Sequence, residues 1–173
     1  MLWEVDIYPA EGQPDAAASK IISEAQELAL AEGLKVWAAR GYLIEGNLDR
    51  ADIQRLAREL LVDPVVERGV LGEVGETTLA EPPQGAGVLV HVLPKPGVMD
   101  PVAQSAVAAI GDFNLQAQTV RTLRKYWFDD LPGDKLRALC TKVLANEAID
   151  EVIVGPLDFD QLKIGSPYQF EPL

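Results

Sequence analysis

Without a second histidine, a nucleophile–base pair of the Cys–His type in this chain could only be built from His91 and Cys140. His91 sits in the alternating run VLVHVL, pointing opposite to Val90 and Val92, and Cys140 falls on the apolar stripe of a helical segment. These are the positions of a structural histidine and an inert buried thiol. Gly69-x-x-Gly72-x-x-Gly75 lacks the order of a dinucleotide-binding loop and precedes no helix, so it reads as a strand end. Asp129-Asp130 and Asp158-Phe159-Asp160 offer carboxylates with no further ligand at metal-site spacing. Arg121, Arg124 and Lys125 form the one cationic cluster in the second half, on a strand and turn that water can reach. No Walker motif, zinc pattern or hydrolase elbow is present. The expectation is a chain that presents surface rather than reactivity.

The elements that carry these residues are written twice. Adding 85 to the early numbering takes Val5 to Val90, Ile7 to Val92, Pro9 to Pro94, Gly12 to Gly97 and Asp15 to Asp100. The helical stripe Ala18, Ile21, Ile22, Ala25, Leu28 then falls on Ala103, Ala106, Val107, Ile110, Phe113. That is the i, i+3, i+4, i+7 spacing of a buried face. Asp15 and Asp100 stand where an N-cap accepts free backbone N–H groups, with Pro101 in the first turn and Gly33 closing the first helix. After a one-residue deletion, VWAARGYLIE falls on VRTLRKYWFD, each reading as two short strands or one bent strand. A further shift places Ile53, Leu56, Ala57, Leu60 and Leu61 on Leu136, Leu139, Cys140, Val143 and Leu144. LVDPVVER and LANEAIDE follow those helices, and strands are expected near 68–74 and 150–155.

The pattern predicts an α+β fold of two ferredoxin-like βαββαβ repeats related by a pseudo-twofold, with antiparallel sheets and helices on one face. The repeats are expected over 1–76 and 88–157, with a linker at 77–87 inside the Gly/Pro-rich stretch GETTLAEPPQGAG and a C-terminal arm over 158–173. Each copy leaves the other sheet face bare, so two copies must bury those faces together or join sheet edges.

Net charge is −12, with −9 on residues 1–84 and −3 on 85–173, which argues against a nucleic-acid partner. Apolar residues make up 48% and charged residues 24%, the balance of a chain with a core. Apolar runs fall short of a membrane span, the first residues do not read as a signal peptide, and one cysteine suits a reducing compartment. A cytoplasmic protein is expected.

The second half resembles the PurS family, the small subunit of phosphoribosylformylglycinamidine synthase in de novo purine biosynthesis. The resemblance rests on Lys95, Pro96, Gly97, Val98, Met99, Asp100 and Pro101, on the strand RKYWFD, and on Leu144-Ala145-Asn146 followed by Ile149 and an acid. It covers nearly all of residues 88–155. In the first half, Ala10, Glu11, Gln13, Pro14 and Ala16 replace the loop residues, while Gly12, Asp15 and the stripes remain. The tandem is similar to the N-terminal domain of the large single-chain form of that enzyme. The resemblance implies an accessory subunit of a glutamine- and ATP-dependent C–N ligase, with no catalytic residues or cofactor of its own. Glutaminase and synthetase chains would be its partners, ATP and magnesium would belong to the synthetase, and a homodimer is left open. Partner contacts are expected at Lys95, Pro96, Gly97, Asp100, Pro101, Arg124, Lys125 and Tyr126. The competing expectation is a tandem amino-acid-binding regulatory module of the ACT-like type, with its ligand between the copies.

Overall fold

In chain order the elements are β1 (Leu2–Pro9), α1 (Ala16–Glu27), β2 (Val36–Glu45), α2 (Arg50–Leu56), β3 (Glu67–Glu73), β4 (Val88–Pro94), α3 (Pro101–Asp112), β5 (Thr119–Phe128), α4 (Gly133–Leu139) and β6 (Asp150–Val154). The computed structural model describes residues 1–85 and 87–159, so most of the arm expected over 158–173 lies outside the described residues. Helices α2 and α4 each run on into a π-helical turn, Ala57–Leu61 and Cys140–Leu144. The strands form one antiparallel sheet in the order β3-β1-β2-β5-β4-β6. The fold is therefore α+β, and the halves meet by joining edges.

Segments 36–45 and 119–128 are each one ten-residue strand rather than two short ones, so each half reads β-α-β-α-β. β2 pairs β5 along its whole length, from Val36 opposite Phe128 to Glu45 opposite Thr119. Arg40 faces Arg124 at the middle of that register. These two arginines hold matching positions in the two halves, and the helix-covered core divides at them. One part joins Trp3, Val5, Ile7, Tyr42, Ile44 and Val120 to α2 and to Ala103, Ala106 and Ile110 of α3. The other joins Val36, Ala38, Val90, Val92, Tyr126 and Phe128 to α4 and to Ala18, Ile21 and Ala25 of α1. Each core thus draws a helix and half a central strand from the opposite half of the chain. A self-contained repeat would instead pack both helices on its own strands. Strand continuity overrides this, because a helix entering a long central strand lies over whatever that strand's first residues pair with.

The other sheet face is not bare. Leu79, on a 3-10 turn at Thr77–Ala80, is buried beside it. Leu157 packs there with Leu2, Leu43, Leu93 and Leu123. Strand β1 is consequently buried on both sides.

The matching positions also make matching hydrogen bonds. Asp15 accepts from Ala18 N at 3.0 Å and from Ala38 N of β2 at 3.0 Å. Asp100 accepts from Ala103 N at 3.2 Å and from Thr122 N of β5 at 2.8 Å. Each aspartate caps a helix and ties it to a central strand. Helix α1 ends earlier than Gly33, and Ala29 takes the left-handed turn there, at φ 54°. Asn114 does the same after α3, at φ 58°. Asp100→Ala removes a cap and leaves the Thr122 N–H and hydroxyl unpaired in a largely closed site. It is expected to cost about 2–3 kcal/mol, read as a lower urea midpoint at unchanged slope.

Candidate functional site

The middle of the helix-covered face is a groove floored by Arg40 and Arg124. Like charges directly opposite on paired strands repel, and each guanidinium is answered by an acid of its own half. Arg40 meets Glu67 at 3.0 Å, and Arg124 meets Asp150 at 3.1 Å. Both acids are held by the turns that read LVDPVVER and LANEAIDE. Asp63 N donates to Glu67 at 3.0 Å, and Asn146 N donates to Asp150 at 3.0 Å. The repeated phrase is therefore a device that seats an acid against a central arginine.

Two clefts flank the pair. One, of about 410 Å³, is lined by Pro9, Pro14, Asp15, Ala38, Arg40 and Tyr126, among others. Its counterpart, of about 250 Å³, is lined by Pro94, Val102, Thr122, Arg124, Asp150 and Tyr42, among others. The loops that differ most between the halves stand beside these clefts. Both begin with the same bond to the preceding turn, Ala10 N to Val66 O and Lys95 N to Ile149 O, each 2.8 Å. Both turn on a left-handed glycine, Gly12 at φ 81° and Gly97 at φ 86°. Only the second carries Lys95, Pro96 and Met99, all exposed, with Met99 at 75%.

The residues expected at partner contacts divide by position. Lys95, Pro96, Gly97, Pro101 and Arg124 are exposed. The Lys95 ammonium reaches the Glu147 carbonyl, so it also braces the loop. Asp100 is buried by its capping bonds and serves the fold. Lys125 and Tyr126 are not surface residues, and as direct contacts they are withdrawn. Tyr126 is 4% exposed within the second core, although its hydroxyl receives Arg124 at 3.4 Å. Lys125 is fully buried on the opposite sheet face. Strand alternation separates Lys125 from both its neighbours.

There Lys125 meets a buried constellation. Its ammonium lies 2.7 Å from Asp6, 3.5 Å from Glu4, and against the Leu79 carbonyl. His91 Nδ1 donates to the Gly155 carbonyl at 2.9 Å, leaving Nε2 3.4 Å from Glu4. Burial, then the neighbouring Glu4 carboxylate, push the Asp6 carboxyl up to about 8 against the pull of Lys125. Burial, then the Lys125 ammonium, push the His91 imidazole down to about 4. Burial draws the Lys125 ammonium down, but Asp6 and Glu4 outweigh it, so its pKa lies above the usual range. Trp127 Nε1 donates to the Tyr8 hydroxyl at 2.9 Å beside them. Nothing in the local run LWEVDIYP marks Glu4 and Asp6 as buried, since acids alternating with apolar residues ordinarily face water.

His91 and Cys140 occupy opposite faces of the sheet and cannot act together. Burial pushes the Cys140 thiol up, away from the reactive thiolate. Gly69 and Gly72 belong to β3, with Gly75 beyond its end at φ 97°. Asp129 and Asp130 are exposed, and Asp160 lies outside the described residues. Among the described residues no three His, Cys, Asp or Glu side chains gather as a metal site, and no helix is long and apolar enough to cross a membrane. No protein-family model and no curated protein matches the chain.

Proposed function

We propose that the protein is a non-catalytic assembly subunit of phosphoribosylformylglycinamidine synthase, built from two PurS-like repeats of β-α-β-α-β order about a pseudo-twofold axis. The matched Asp caps, the matched Arg–acid pairs and the sheet order that repeats under exchange of halves support the duplication. The observation that carries the functional reading is the Lys95–Pro101 loop. It holds the family's lysine and glycine, is anchored at both ends, and offers Lys95 and Met99 beside the central groove. A rigid exposed loop loses little entropy on docking, which suits a contact surface.

In this reading the chain bridges a glutaminase and an ATP-dependent synthetase in the cytoplasm and keeps ammonia transfer sheltered. ATP and magnesium are bound by the synthetase, and this chain supplies no reacting group. The second-half loop makes the family contact, whereas the first-half loop, with Ala10 and Gln13, meets something else or stays free.

The test is co-expression with glutaminase and synthetase chains in the presence of glutamine and nucleotide. Lys95→Glu is expected to leave the melting temperature nearly unchanged, because the side chain is exposed, while weakening the complex at least about tenfold. Equal retention of wild type and variant, or no complex with either chain, counts against the assignment.

A further inference from the structure

Four ionisable side chains meet on the sheet face away from the helices: Glu4 and Asp6 of β1, His91 of β4 and Lys125 of β5. All four are closed from water. Lys125 is the one cation of the group, because burial and then the Lys125 ammonium hold the His91 ring neutral. Two carboxylates against one ammonium would leave a surplus negative charge in a closed site, which is costly. Two atoms show the same shortage of protons: Asp6 Oδ1 and His91 Nε2 have no hydrogen-bond partner among the described residues. One bound proton answers the charge and one of these atoms together. Placed on Asp6, it makes that carboxyl a donor to Glu4, with which it shares a side-chain hydrogen bond.

Residues 76–83, between β3 and β4, form the cover. They follow Gly75, at φ 97°, and run through the turn Thr77–Ala80 into Pro82 and Pro83. Leu79 is buried in that turn, and its carbonyl takes the Lys125 ammonium. Beside this tie, a cleft of about 360 Å³ parts Thr78, Glu81 and Pro83 from Tyr8 and Arg68, so the cover is open at its rim. On its flanks Asp6 is walled instead by the ladders to β2 and β3. Lifting the cover breaks few bonds, whereas removing a strand breaks a whole ladder. We propose that residues 76–83 are a proton-controlled strap, closed while Asp6 and Glu4 share one proton beside Lys125 and opened when that proton leaves. The device is independent of the assembly reading.

The direction of the switch follows from Asp6. In the closed form burial and then Glu4 hold its carboxyl up to about 8, against the ordinary 3.8 that contact with water restores. The closed form therefore holds the proton more tightly, and opening becomes easier as the pH rises, until about 8. The groups facing Asp6 are Glu4 and Tyr8 on β1, Lys125 on β5, His91 on β4, Arg68 on β3 and Glu81 on the strap. β2 places only Gly41 opposite it. Lys125 stays cationic and Tyr8 and His91 stay neutral between about pH 6 and 9. Arg68 and Glu81 are exposed and screened by water, so Asp6 dominates the change.

The test is amide hydrogen exchange, read by NMR on the full chain between about pH 6 and 9, with each rate divided by that of an unstructured amide. The Leu79 amide reports on the strap, since it donates to the Glu76 carbonyl at 3.1 Å. Its opening constant is expected to rise with pH by up to about tenfold per unit and to level off above about 8. The amide of Leu43, in the middle of the sheet, should stay better protected at every pH. Asp6→Asn keeps the shape and cannot ionise, so it should abolish the rise. Glu4→Gln removes the second push on Asp6 and should bring the levelling-off to lower pH. The proposal is overturned if the Leu79 opening constant is flat with pH, or rises as steeply in Asp6→Asn. It is equally overturned if Leu79 and Leu43 open together, which is unfolding of the whole chain, or if Glu4→Gln leaves the levelling-off unmoved.

Discussion

Lys125→Met is expected to destabilise the protein by about 3–5 kcal/mol, the usual cost of removing one partner from a buried ion cluster. Among the described residues the ammonium is the only cation between Glu4 and Asp6, at 3.5 and 2.7 Å, and it also satisfies the Leu79 carbonyl. Methionine fills a similar volume, so the loss is electrostatic rather than a cavity. Two carboxyl groups would then face one another in a closed site, and the segment carrying Leu79 would lose its tie to the sheet. Urea denaturation measures the change, which should shrink as the pH is lowered through about 8 and the Asp6 carboxyl takes up its proton. Arg124→Met is the control: one residue away, paired with Asp150 but about half exposed, it should cost under about 1 kcal/mol. Equal effects would mean that alternation on β5 does not separate the two cations.

The second large effect concerns cutting the chain. Residues 1–87 and 88–173, expressed apart, should each fail to fold as a monomer. The first fragment would lack α3, whose Ala103, Ala106 and Ile110 complete the core of Trp3, Val5 and Ile53. The second would lack α1, whose Ala18, Ile21 and Ala25 complete the core of Val90, Phe128 and Leu139. Each fragment would also expose a ten-residue central strand along its pairing edge. Mixing the fragments should restore helix and strand signals by circular dichroism. Sedimentation of either fragment as a folded monomer would disprove the exchange of helices.

Much of the scaffold is legible in the residues. The helical stripes, the Asp15 and Asp100 caps and the strands at both ends of each half follow from local spacing, because short-range hydrogen bonds and one-sided burial impose periodicity. The exchange of helices is not local. It depends on β2 and β5 running straight through Arg40 and Arg124 to serve both cores, and an alignment of the halves is blind to which half a strand pairs with. The burial of Lys125 is half legible in its own strand. In VRTLRKYWFD, period-two alternation already puts Arg124 and Tyr126 on one face and Lys125 on the other. Its partners Glu4 and Asp6 are far away in the chain, and the cover that buries them comes from a segment that reads as a linker.

Arg40 opposite Arg124 has a consequence for stoichiometry. Two identical short chains could meet through the same register, with each residue at that point facing its own copy, but they would display two identical loops and would part on dilution. Joining them in one polypeptide fixes the ratio at one to one at any concentration and frees the two sides to differ. Lys95, Pro96 and Met99 on one flank, with Ala10, Glu11 and Gln13 on the other, give the molecule a front and a back that a homodimer could never have.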